Sequence, residues 1–120
     1  MGLLAREIET CGVTTVALAN VRELATLVKA PRMLYLHWPF GHALGEPGNV
    51  NQQHTILHDL FSMARVAPRP GLIVDLPYQW KRQEYVPISN WNIESKAFTR
   101  ALVRALQTES AQCEQNIGLR

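Results

Sequence analysis

A chain of 120 residues that is 47% hydrophobic and carries a net charge of +2 is long enough for one core, too short for two, and too apolar to be disordered. Its basic residues are mixed with acids, as Arg6 and Arg22 are with Glu7, Glu9 and Glu23, so no stripe for nucleic acid is drawn. Residues 1–10 are too charged for a secretory signal, and no apolar run reaches the roughly 20 residues of a membrane span. Gly2 follows Met1, but Arg6 stands where a myristoylation signal wants Ser or Thr. Cys11 and Cys113, 102 positions apart, make no close-spaced metal or redox pair, which suits a reducing compartment. A cytoplasmic protein with no cofactor motif is expected.

In chain order, Leu4, Ile8 and Cys11 fall at i, i+4 and i+7, so the spacing predicts an amphipathic helix over residues 3–11, ended by Gly12, with Cys11 on its buried face as a small core hydrophobe rather than a reactive thiol. Thr14-Thr15-Val16-Ala17-Leu18-Ala19 reads as a first buried strand. Asn20, with Glu23 three residues on, is the expected cap of a helix whose core stripe is Val21, Leu24, Ala25 and Val28 and which Pro31 stops. Met33-Leu34-Tyr35-Leu36-His37-Trp38 is a second strand. Strand, short helix and strand make a βαβ unit, so the sheet is expected to be parallel.

The next stretch, residues 38–49, holds three glycines and two prolines in twelve positions, which means a shaped backbone. Pro47-Gly48 suits the centre of a type II turn, and Asn49 with Gln52 forms a capping box for the following helix. A loop between a strand's carboxyl end and a helix's amino end is where open α/β sheets bind ligands. Gly41, His42, Gly45, Glu46, Gly48 and Asn49, joined by Asp75 from the third strand, are therefore the candidate ligand-binding residues. His42, Glu46 and Asp75 are the candidate acids or bases, and phosphate binding by the helix amides is open too, although neither a Gly-x-Gly-x-x-Gly nor a Walker pattern is present.

The helix from about Val50 to Arg65 is expected to bury Ile56, Leu57, Leu60, Phe61 and Ala64 and to expose Thr55, His58, Asp59, Ser62 and Arg65, with His54 on the border. His54 and His58 at i, i+4 could share a metal, but Thr55 replaces the Glu of a His-Glu-x-x-His motif, so no metal is assigned and the pair stands as a weaker alternative, a metal-dependent hydrolase. After the turn Ala67-Pro68-Arg69-Pro70-Gly71, Gly71-Leu72-Ile73-Val74-Asp75-Leu76 is the third strand. Residues 78–87 show no clean period and read as an ordered loop, in which Trp80-Lys81-Arg82 could grip an anionic partner. Asn92 is the expected cap of a last helix with Phe98, Ala101, Leu102, Ala105 and Leu106 inward. The polar stretch after about Ser110 is expected to fray.

These elements amount to an α/β domain over residues 1–112, a small three-layer fold with a three-stranded parallel sheet flanked by helices, followed by a polar tail over 113–120. Its sheet edges call for cover by a companion chain or a second copy.

The run Pro39-Phe40-Gly41-His42-Ala43-Leu44-Gly45-Glu46-Pro47-Gly48, with a strand before it and Gln52-Gln53 after it, resembles the proline- and glycine-rich segment of the selenoprotein B component of glycine, sarcosine, betaine and D-proline reductases. Glu7-Ile8-Glu9-Thr10-Cys11-Gly12-Val13-Thr14-Thr15-Val16 is similar to that family's helix-to-strand entry, and the likeness extends from about Leu4 to Trp80. In those reductases a selenocysteine or cysteine motif upstream of the entry helix attacks the substrate's carbon–nitrogen bond. Nothing stands upstream here, and neither Cys11 nor Cys113 matches the nucleophile. The resemblance therefore implies a component that shapes the pocket for a small amino-acid-like substrate while a companion chain supplies the thiol or selenol. The alternative is a non-enzymatic module of the same fold that binds a small anion or a partner protein.

Overall fold

The computed structural model describes residues 2–67, 69–81 and 83–118, those from 109 onward by backbone alone. Met1, Pro68, Arg82 and residues 119–120 lie outside it, so the Pro68 part of the predicted turn and the Arg82 part of the basic pair are not described. The elements run α1 (Gly2–Thr10), β1 (Ala17–Ala19), α2 (Arg22–Val28), β2 (Arg32–Tyr35), α3 (Val50–Val66), β3 (Leu72–Asp75) and α4 (Lys96–Gly118). The three strands form a parallel sheet in the order β1-β2-β3, with Leu18 opposite Leu34 and Leu34 opposite Val74. The expected α/β domain is therefore present. Among the described residues no helix is long and apolar enough to cross a membrane.

The strands are shorter than their apolar runs: Val16 ahead of β1, Leu36 and Trp38 beyond β2 and Leu76 beyond β3 also pack into the core. The sheet separates two clusters. On one side Leu34, Leu72 and Val74 pack with Ile56 and Met63 of α3 and with Phe98 and Ala101 of α4. On the other, Met33 packs with Ala25 of α2 and with Ala30.

Several local expectations are corrected. No residue of α1 is buried and Cys11 is exposed, because α1 rests beside α2 and not under the sheet. What holds α1 is polar: Glu9 accepts from the Thr15 N–H (2.8 Å) and pairs with Arg32. Burial alone would raise the Glu9 pKa, but these bonds outweigh it and hold the carboxyl below its usual value. Asn20 does not cap α2. Its side chain donates to the Leu36 carbonyl, the cap position falls to Val21 without a side-chain bond, and Leu24 is exposed. Nor is Asn92 the cap of α4. Ser95 is, its hydroxyl accepting from the Phe98 N–H at 3.1 Å. Helix α4 then runs on to Gly118, past Ser110 where fraying was expected.

The largest correction concerns α3. Its buried residues are Gln52, Ile56, His58, Asp59, Ser62 and Met63, while Phe61 and Ala64 are exposed. The polar flank expected to face water is covered by the irregular segment that follows β3. That segment roofs the helix with Tyr78 and Ser95.

Candidate functional site

The loop from Trp38 to Asn49 is shaped as its composition implies. Gly41, Gly45 and Gly48 all have positive φ (91°, 108° and 80°), where a side chain is strained. The Asn49 N–H bonds to the Glu46 carbonyl at 3.1 Å across Pro47-Gly48, closing the predicted turn. Asn49 caps α3 through the Gln52 N–H (3.2 Å). The return half of the capping box is absent, because the Gln52 side chain turns elsewhere. Fully buried, it accepts from the Glu46 N–H (2.7 Å) and donates to the Trp80 carbonyl (3.2 Å). A Cβ on Gly45 would stand 2.7 Å from the Gln52 Oε1, so only glycine lets the loop close over this amide.

The loop is also tied to residues 78–80. The Trp38 indole donates to the Tyr78 carbonyl (3.0 Å), Trp80 tilts against Trp38, and the His42 ring lies 5.1 Å from that of Trp80. Above this anchored base the tip faces solvent: Phe40 is 84% exposed, Leu44 is 45% exposed, and Gly41 and His42 are exposed as well. The loop is thus a fixed bend presenting two apolar side chains.

Asp75 stands apart from it. At the end of β3 it is ion-paired with Arg22 and lines two clefts with residues of α4, neither of which contains a residue of the loop. The candidates from residues 41–49 thus share one loop. Asp75 belongs to another surface.

Sequence reasoning missed a second polar centre. Asp59, 0% exposed, accepts from the Tyr78 hydroxyl at Oδ2 (2.5 Å) and from the Ser95 hydroxyl at Oδ1 (2.9 Å), while His58 Nδ1 lies 3.4 Å from Oδ1. Burial pushes the Asp59 carboxyl up despite these donors. Burial and the Asp59 charge push the Tyr78 hydroxyl well above its usual value. His58 is 3% exposed, and its buried Nε2 has no hydrogen-bond partner among the described residues. A buried polar atom left this way costs on the order of 1–3 kcal/mol. Beside this group lies a cleft of about 400 Å³ that includes Thr55, Tyr85, Val86, Ile88 and Ile93 in its walls.

His54 and His58, the i, i+4 pair, share an aromatic neighbour. Each meets the edge of the same ring, Trp91, at 5.6 Å, and no group of three or more metal-ligating side chains exists among the described residues. The weaker metal alternative thus finds Trp91 packed against both imidazoles. Cys11 lines none of the three clefts, and the Cys113 side chain lies outside the described atoms.

No family model matches the chain, and neither a curated protein nor a solved structure matches it.

Proposed function

We propose that this chain is a component of a reductase of the glycine, sarcosine, betaine or D-proline type, acting in the reductive cleavage of a carbon–nitrogen bond. The loop of residues 38–49 forms one wall of the substrate pocket, and a companion chain closes that pocket and supplies the reactive thiol or selenol. The observation that carries this reading is the loop itself, whose sequence pattern resembles the reductase segment. Its base is locked by Gln52 and Trp80 while Phe40 and Leu44 stand out into solvent. A rigid bend with an apolar tip is suited to seat a partner protein, since exposed apolar groups on a preorganised element lose little entropy on docking. His42, at the foot of that tip, is the titratable group placed to meet a substrate held between the chains.

Mixing the purified chain with the product of an adjoining gene that encodes a Cys-x-x-Cys or selenocysteine motif tests this. Co-elution, and turnover of glycine, sarcosine, betaine or D-proline by the mixture alone, is expected. Two chains that elute separately and stay inactive together contradict it.

A second reading is a non-enzymatic module that binds a small anion. It draws on the cleft of about 140 Å³ where Arg100 and Arg104 of α4 stand with Asp75 and Pro77. Calorimetry that finds phosphate bound and none of the four amino-acid-like substrates bound favours it.

A further inference from the structure

One edge of the sheet lies in a groove between two helices. With the order β1-β2-β3, β3 has a single strand neighbour among the described residues. The Leu76 N–H donates to the Tyr35 carbonyl of β2 (3.0 Å), and successive residues of a strand turn their N–H and C=O groups to alternate sides. Leu72 and Val74 therefore point these groups at β2, and Ile73 and Asp75 point theirs at the open side. Leu72 and Val74 are buried, whereas Ile73 is half-buried and Asp75 exposed. Ile73 and Asp75 line a cleft of about 490 Å³, walled by Arg22 and Thr26 of α2 and by Arg104 and Thr108 of α4. These helices pack on opposite faces of the sheet, so the strand edge is the floor between them. The four residues of β3 run about 13 Å, the length of a short extended segment.

Charge selects the occupant. Asp75 is already paired with Arg22. Arg104, and Arg100 in the adjoining cleft at Asp75 and Pro77, are exposed and have no ion pair among the described residues. We propose that β3 accepts an extended acidic peptide segment as a fourth strand, which exchanges backbone hydrogen bonds with Ile73 and sets a carboxylate against Arg100 and Arg104. A second copy of the chain would bring the same helix walls and the same arginines to this edge, and so offers no opposite charge. The site does not depend on the reductase reading, because no residue of the 38–49 loop lines either cleft.

The test titrates the full ¹⁵N-labelled chain by NMR with the capped peptide acetyl-Glu-Thr-Val-Thr-Val-Glu-amide, with its counterpart carrying lysine at both ends, and with inorganic phosphate. The acidic peptide shifts the Ile73 and Asp75 amide signals and slows solvent exchange of the Ile73 N–H. The lysine peptide binds at least about fivefold more weakly, as loss of an exposed ion pair requires, and phosphate leaves the Ile73 exchange rate unchanged. Arg104→Glu weakens the acidic peptide by a similar factor. Should that variant not fold, the ranking of the two peptides and the Ile73 exchange rate on the unaltered chain still decide. A lysine peptide that binds as tightly, no slowing of Ile73 exchange by the acidic peptide, equal slowing by phosphate, or an Ile73 N–H already protected in the free chain, whether by a second copy or by the chain itself, overturns the proposal.

Discussion

Gln52 carries more of the loop than its position in a capping box suggests. Its side chain answers a backbone N–H of the loop and a backbone carbonyl beyond β3 at once, so Gln52→Ala orphans two buried groups and should cost about 2–4 kcal/mol. Asn49→Ala, which removes one cap, should cost about 1 kcal/mol. Urea unfolding of the two variants side by side checks the ranking. Two acids should give opposite pH signatures. Asp59 binds its proton more tightly folded than unfolded, so the stability tied to it is greatest below the ordinary aspartate range and falls as pH rises towards its raised value. Glu9 is held below its usual value, so the stability it adds is present above the glutamate range and is lost as pH falls through the lowered value. Urea midpoints from about pH 3 to about pH 7 should lose the falling component in Asp59→Asn and the rising component in Glu9→Gln.

At the scale of elements, Ser95 joins two tasks that sequence reasoning assigned to neither residue nor place. It caps α4 through the Phe98 N–H and donates to Asp59, so Ser95→Ala should destabilise the fold by about 2 kcal/mol, and Ser95→Asp, a good cap that places a second carboxylate against Asp59, should not recover it. Thermal unfolding of both checks this. The number and order of helices and strands, the parallel sheet and the turn at Pro47-Gly48 were legible because apolar periodicity, glycine and proline act locally. The burial of α3 was not. Asp59, His58 and Ser62 look like a solvated flank until the segment after β3 is laid over them, and that segment has no period from which its path could be drawn. The cap of α4 was misplaced for a related reason: Asn92 and Ser95 are both good caps, and only the bond to Asp59 favours Ser95. The buried placement of Cys11 failed because helical spacing shows an apolar stripe but not whether anything lies against it.

For the whole molecule, apolar surface on the 40–44 tip is the feature the single chain leaves uncovered where its sequence is most distinctive. If that tip seats a companion, Phe40→Ser with Leu44→Ser should leave the unfolding free energy within about 0.5 kcal/mol of the unaltered chain's, as surface changes do, and still abolish association. The measurement that bears most directly on the account is therefore light scattering on the co-eluted mixture of this chain and the thiol- or selenol-bearing companion. The account predicts a complex whose mass contains both chains and which disappears with the double variant. A companion that binds the double variant as tightly as the unaltered chain, or does not bind at all, contradicts it.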